Sequence, residues 1–271
     1  MGIAPFTAQA DSRTREVLED LEQVLLAFMR KHGITHEQYR VATQILVDTV
    51  KKGEESLLYD VFLEAESTDI GNRQRAGSPE AIEGPFYLPG APALDQPYVM
   101  PMRNGEPGEV LFFEGKVSDA EGNPLAGAEL DVWHADANGL YSNIHPDVPL
   151  WNLRGRFRTD ANGEFEVRSI VPPPYEIPKD GPTGQVLKTM GRHFFRPAHL
   201  HVKVRHPDFG EMTSQVYFLG GQYLDSDVAN AVRDGLIAEL RCHDSAADMA
   251  AREMDRPYYT VTYDFVLGEG R

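Results

Sequence analysis

Apolar positions in the first third of the chain recur at helical spacing. In RTREVLEDLEQVLLAFMRKHG, the residues Val17, Leu18, Leu21, Val24, Leu25, Phe28 and Met29 fall on one stripe, and Gly33 supplies a stop. The following stretch, THEQYRVATQILVDTVKKG, places Thr35 and Gln38 at the spacing of a capping box. Ala42, Ile45, Leu46 and Val50 then form a second buried face before Gly53. A third helix is predicted from Glu55 to about Glu66, where Leu57, Leu58, Val61, Phe62 and Ala65 form a face suited to covering another element or lining a pocket. From Ser78 the pattern changes. Pro and Gly appear every few residues, EGPFYLPGAP reads as a rigid connector, and short runs rich in Val, Phe and Tyr alternate with turn signals. VLFFEGKVS, AELDVWHAD, RGRFRTD, ANGEFEVRSIV, AHLHVKVRH, TSQVYFLG and YYTVTYDFVLG are the predicted strands, and their spacing suggests a sandwich of antiparallel strands. The expected fold is mainly β, an antiparallel β-sandwich core with an N-terminal helical unit.

Composition narrows the function classes. The 271 residues are 41% hydrophobic, enough for a core, and their 24 glycines and 19 prolines lean toward turns. A formal charge of -16 disfavours phosphate backbones and anionic headgroups, so nucleic acid is not expected as a partner. No apolar run reaches the roughly 18 residues of a membrane span and no signal-like segment opens the chain, so the expectation is a cytoplasmic protein without membrane insertion. Cys242 is the only cysteine. Any metal must therefore be held by nitrogen and oxygen.

The chemistry is concentrated in RPAHLHVKV. His199 and His201 are two residues apart on a predicted strand, so both imidazoles point to one face and can reach one point. Two imidazoles do not by themselves hold an iron, copper or zinc ion, and an isolated H-x-H is also compatible with core histidines that merely find hydrogen bonds. Tyr141 in NGLYSN and Tyr175 in PPPYEIP lie in loop contexts. A phenolate is a hard anionic donor that favours Fe(III), although most tyrosines serve packing. The residues alone leave open a β-sandwich binding module, or an Fe(II) site completed by a carboxylate.

DVWHADANGLYSN, SIVPPPYEIPKDGPTGQ, GRHFFRPAHLHVKV and TSQVYFLGGQYLDSD closely resemble, in the same order, motifs of the intradiol ring-cleaving dioxygenases, in the catechol 1,2-dioxygenase branch. The resemblance covers most of the chain. It implies a mononuclear non-haem Fe(III) held by Tyr141, Tyr175, His199 and His201, with Tyr175 giving way to the diol and accepting one of its protons while Tyr141 stays. It further implies that Arg196 stabilises charge developing on the substrate and that Gln215 lies beside it. Leu57, Asp60, Val61, Ile82, Gly84, Pro85, Tyr87 and Ala229 match pocket positions. His134 and His193 match positions not used as ligands. The implied reaction is cleavage of catechol by O2 to cis,cis-muconate, with chlorocatechol or hydroxyquinol as alternative substrates. Residues 1–77 would form a helical dimerisation and linker unit, with phospholipid held in the interface of a homodimer, and residues 78–271 the β-sandwich catalytic domain carrying the metal.

Overall fold

The computed structural model describes residues 12–268; the ends of the two expected domain ranges, 1–11 and 269–271, lie outside the described residues. The chain divides into two compact units, one up to Lys51 and one from Lys52 onward.

The first unit is built from α1 (Ser12–His32) and α2 (His36–Lys52). Gly33, at φ +60°, ends α1 in a left-handed turn. Its N–H donates to the Arg30 carbonyl and that of Ile34 to the Met29 carbonyl, satisfying acceptors the helix leaves open. The capping box forms as expected, with Thr35 N–H donating to Gln38 Oε1 at 3.0 Å and Gln38 N–H to Thr35 Oγ1 at 3.3 Å. The expected buried face of α2 does not form. Leu46 is 47% and Val50 63% exposed, Leu21, Leu25 and Phe28 on α1 are about half exposed, and the one buried residue of the two helices is Thr49. Helical periodicity specifies an apolar face but not what covers it.

In the second unit, α3 (Glu55–Tyr59) runs through a π-helical turn at Asp60–Glu64 into α4 (Ala65–Asn72). Leu57, Leu58, Val61 and Ala65 are buried as predicted, whereas Phe62 is 38% exposed. The strands and later helices follow as β1 (Val110–Asp119), β2 (Glu129–Trp133), β3 (Arg154–Arg158), β4 (Glu164–Ile170), β5 (Tyr175–Glu176), α5 (Pro182–Thr189), β6 (Phe195–Arg196), β7 (His199–His206), β8 (Gly210–Phe218), β9 (Ile237–Ala238), β10 (Leu240–His243), α6 (Ala246–Ala251), β11 (Tyr258–Thr262) and β12 (Phe265–Leu267). One sheet has the order β10-β11-β1-β12 with β4 also on β1; the other runs β3-β2-β7-β8-β9.

Two expectations are corrected. Helix makes up 30% and strand 25% of the chain, so the protein is not mainly β, and the sheets are mixed rather than purely antiparallel. β1 pairs in parallel with both β11 and β12, and β8 in parallel with β9. The cause lies in the C-terminal run, read from its alternation as one strand. Both of its halves run along the same edge of β1 in one register, but the ladder breaks at Tyr263 and Asp264: the Lys116 N–H donates to Asp264 Oδ1 at 2.9 Å instead, and a Cβ on Gly115 would lie 2.0 Å from the Tyr263 carbonyl oxygen. Only glycine leaves room for that carbonyl.

Leu111, Phe113 and Val117 of β1 meet Leu130 and Val132 of β2 and Leu200, Val202 and Val204 of β7 in the main core. Phe113 and Phe165 pack edge to face there, with centroids 5.1 Å apart. The pleat of β7 then decides the placement of the histidines. With Leu200, Val202 and Val204 facing the core, His199, His201 and Lys203 must point to the opposite face of the sheet.

Candidate active site

His199 and His201 are both fully buried, and their Nε2 atoms lie 3.0 Å apart. Neighbouring strands set their surroundings by register, placing Tyr217 opposite His199, Gln215 opposite His201 on β8, and Trp133 of β2 opposite His201 on the other side. Trp133 stacks on the His201 ring at 4.6 Å and 9°. His199 Nδ1 donates to the Pro197 carbonyl at 2.7 Å, which leaves its Nε2 lone pair facing the site.

The tyrosines arrive on loops. Asp136 Oδ1 accepts the N–H groups of Asn138 and Leu140, and its Oδ2 accepts from Arg103 at 2.6 Å, fixing the turn that delivers Tyr141. Gly139 in that turn has φ +80°, and a Cβ on it would come within 2.9 Å of Tyr175 Cβ. The glycine therefore lets the two tyrosine segments approach. Tyr175 lies on β5, opposite Arg196 of β6. The four rings form a closed circuit, with centroid distances of 5.2 Å between Tyr141 and Tyr175, 5.6 Å between Tyr175 and His199, 4.6 Å between His199 and His201, and 6.2 Å between His201 and Tyr141.

Burial controls the electrostatics. It pushes the Tyr141 phenol well above the ordinary range, reinforced by Tyr175 alongside, and raises Tyr175 as well. Burial and then the Arg196 charge bring His199 down to about 3, and His201 is also lowered by burial and by its neighbour His199. The protein alone thus holds four neutral donors, and a strong cation is needed to make the phenols anionic. The Tyr141 hydroxyl is buried with no hydrogen-bond partner. An orphan phenol oxygen beside two converging imidazole nitrogens fits a metal ion of the kind that binds hard anionic oxygen. No group of three or more His, Cys, Asp or Glu is gathered as a metal site among the described residues, so a carboxylate-completed site is not assembled.

Arg196 is buried and ion-paired to Asp227, with 3.1 Å from NH2 to Oδ2. Its NH2 also donates to Gln215 Oε1 at 2.9 Å and Tyr217 Oη at 2.7 Å, and its NH1 faces His199 Nε2 at 3.3 Å. Burial raises the Asp227 carboxyl, but Arg196 and the N–H groups of Ala229 and Ala231 outweigh it and hold the group below its usual range. Gln215 spends its amide on the Ile82 carbonyl at 2.8 Å and lies 3.3 Å from His201 Nδ1. It ties the connector to the histidine strand.

A cavity opens beside these groups, lined by Leu57, Asp60, Val61, Ile82, Gly84, Pro85 and Ala229 together with Tyr175, Arg196 and His201. Tyr87, the remaining expected pocket residue, does not line it. Its ring packs on Trp133 at 4.9 Å, and its hydroxyl donates to Asp131 and accepts from Arg205. Glu83, Phe86 and Ile177 also line the cavity and were not anticipated. Ile177 follows Tyr175 by two and was open to the same alternation reading that linked the histidines; Phe86 and Glu83 carry no local signal. The π-helical turn brings Asp60 and Val61 to the wall. His134 and His193 stay outside the cluster. His134 donates from Nδ1 to the Ala135 carbonyl and accepts from Ser169 Oγ at Nε2, while His193 bonds Ser226 and the Phe195 N–H.

Residues 82–269 match the dioxygenase family. The chain is 38% identical over 231 residues to chlorocatechol 1,2-dioxygenase of Rhodococcus opacus, covering 84% of this chain and 90% of that protein. It is 33% identical over 261 residues to catechol 1,2-dioxygenase 2 of Acinetobacter lwoffii, covering 94% and 92%. Its structure is similar to that of 3-chlorocatechol 1,2-dioxygenase from Rhodococcus opacus 1CP, with a TM-score of 0.89, 40% identity, and 96% and 100% of the two chains covered.

Proposed function

The chain belongs to the intradiol ring-cleaving dioxygenases, and from that premise we propose that it cleaves catechol with O2 to cis,cis-muconate at a mononuclear non-haem Fe(III) held by Tyr141, Tyr175, His199 and His201. The observation that carries this reading is the closed circuit of two phenols and two imidazoles, with an orphan Tyr141 hydroxyl, at the wall of a largely apolar cavity. Bound there, ferric iron supplies withdrawal of electron density from the diol ring, which opens it to O2.

The remaining work falls to the protein. Leu57, Val61, Ile82, Pro85 and Ala229 hold the ring and exclude water, and the bare backbone of Gly84 gives it space. Tyr175 lines the cavity, whereas Tyr141 does not, so Tyr175 is the phenol placed to take up a diol proton. Arg196, held by Asp227, Gln215 and Tyr217, presents a fixed buried cation to charge developing on the substrate, and needs no reorganisation to do so.

The higher identity to a chlorocatechol enzyme supports a second reading of the substrate, a catechol carrying chlorine. Swapping one apolar contact in such a pocket changes discrimination by only about 1 to 3 kcal/mol, so both rings are expected to turn over with different kcat/KM. The half-exposed apolar face of α1 supports a homodimer through the N-terminal helices, a contact also able to take up a phospholipid chain. No helix among the described residues is long and apolar enough to cross a membrane.

The reaction is tested with ¹⁸O2 and catechol. Catechol and O2 sum to muconic acid, so one labelled oxygen is expected in each carboxylate. A hydroxymuconic semialdehyde, or a product carrying no label, would sink the proposal.

A further inference from the structure

Arg154 on β3 is almost completely buried, and none of its hydrogen bonds goes to a carboxylate. Its Nε donates to Ser142 Oγ at 3.0 Å, its NH2 to the Ser142 carbonyl at 3.1 Å and its NH1 to the Phe86 carbonyl at 2.8 Å. It forms no ion pair among the described residues, unlike the buried Arg196, whose charge Asp227 balances. Asp131, a carboxylate whose charge it feels, is engaged by Tyr87 and Arg205. A buried guanidinium with only neutral oxygen partners is costly unless an anion lies close. The guanidinium carbon lies 5.7 Å from the centre of the Tyr141 ring, and the Tyr141 hydroxyl is buried without a hydrogen-bond partner. An unbalanced cation and an unsatisfied phenol are therefore neighbours.

We propose that Arg154 is a positioning residue for Tyr141, its unbalanced charge favouring the anionic phenolate that stays on the metal while its carbonyl clamps hold that ring against the pocket segment at Phe86. The two tyrosines are thereby made unequal. Tyr175 faces a cation already neutralised by Asp227 and is freer to leave, whereas Tyr141 faces one that is not. This rests on the proposed ligand set, and the test separates the two.

Ferric tyrosinate has a visible charge-transfer band. In a Tyr175→Phe background, where the band comes from Tyr141 alone, Arg154→Gln is expected to move it to longer wavelength, because losing a nearby cation raises the donor level of the phenolate. Arg154→Lys, which keeps the charge, holds the band near its parent position, and in a Tyr141→Phe background Arg154→Gln leaves the Tyr175 band in place. Arg154→Met keeps the stem packed and replaces Gln if that chain does not fold. No shift in the Tyr175→Phe background, equal shifts for the Lys and neutral variants, or equal shifts in both backgrounds would overturn the proposal. A colourless iron-loaded parent would instead overturn tyrosinate ligation, and this inference with it.

Discussion

His134 shows how a residue that sequence resemblance set aside still contributes. Its two ring nitrogens are taken up by Ala135 and Ser169, and burial lowers it to about 4 from 6.5. A base whose folded pKa is depressed gives stability that is present above the unfolded value and lost as pH falls through the folded one. Unfolding free energy is therefore expected to drop between pH 6.5 and 4, with His134 contributing on the order of 3 kcal/mol. In His134→Gln that part of the slope disappears. Denaturant titrations across this range check it, and parallel slopes for both proteins would exclude the assignment. The chemistry of His199 and His201 was legible because period-two alternation is local. The Asp227 partner of Arg196 and the carbonyl clamp of Arg154 were not, since each joins residues far apart in the chain.

At the scale of elements, the histidine strand matched its pattern, and the C-terminal run did not. YYTVTYDFVLG alternates as one strand would and keeps one register along β1, yet its ladder breaks at Tyr263 and Asp264 into β11 and β12, and its pairing with β1 is parallel. Alternation reports which faces are buried and says nothing of which neighbour supplies the hydrogen bonds. The break rests on Gly115, which the Tyr263 carbonyl overlies. Gly115→Ala would set a methyl against the Tyr263 carbonyl and is expected to cost about 3 kcal/mol. Gly71→Ala in α4, with nothing within 4 Å of the new methyl, is expected to stabilise by about 0.5 to 1 kcal/mol. Urea midpoints of the two variants should move in opposite directions; a shared direction would show that the break beside β1 tolerates a side chain.

For the whole molecule, every side chain that lines the pocket comes from the unit beginning at Lys52, whereas the uncovered apolar face lies on α1 and α2. Association and catalysis should therefore separate. Leu25→Glu combined with Phe28→Glu is expected to convert a dimer to monomers in sedimentation velocity while ring cleavage persists, and an unchanged sedimentation coefficient would place the interface elsewhere. The amino-acid sequence by itself determined the helices and their caps, the strand-rich remainder, the shared face of His199 and His201, and four motifs that identify the family, because spacing and backbone preference act over a few residues. Only the tertiary structure decided the parallel pairing around β1, the entry of Phe86, Glu83 and Ile177 into the pocket, the displacement of Tyr87 behind Trp133, and the burial of Arg154 without a counter-charge. Those depend on which distant segments pack together, and that is settled by the joint burial of whole surfaces, which no local period encodes.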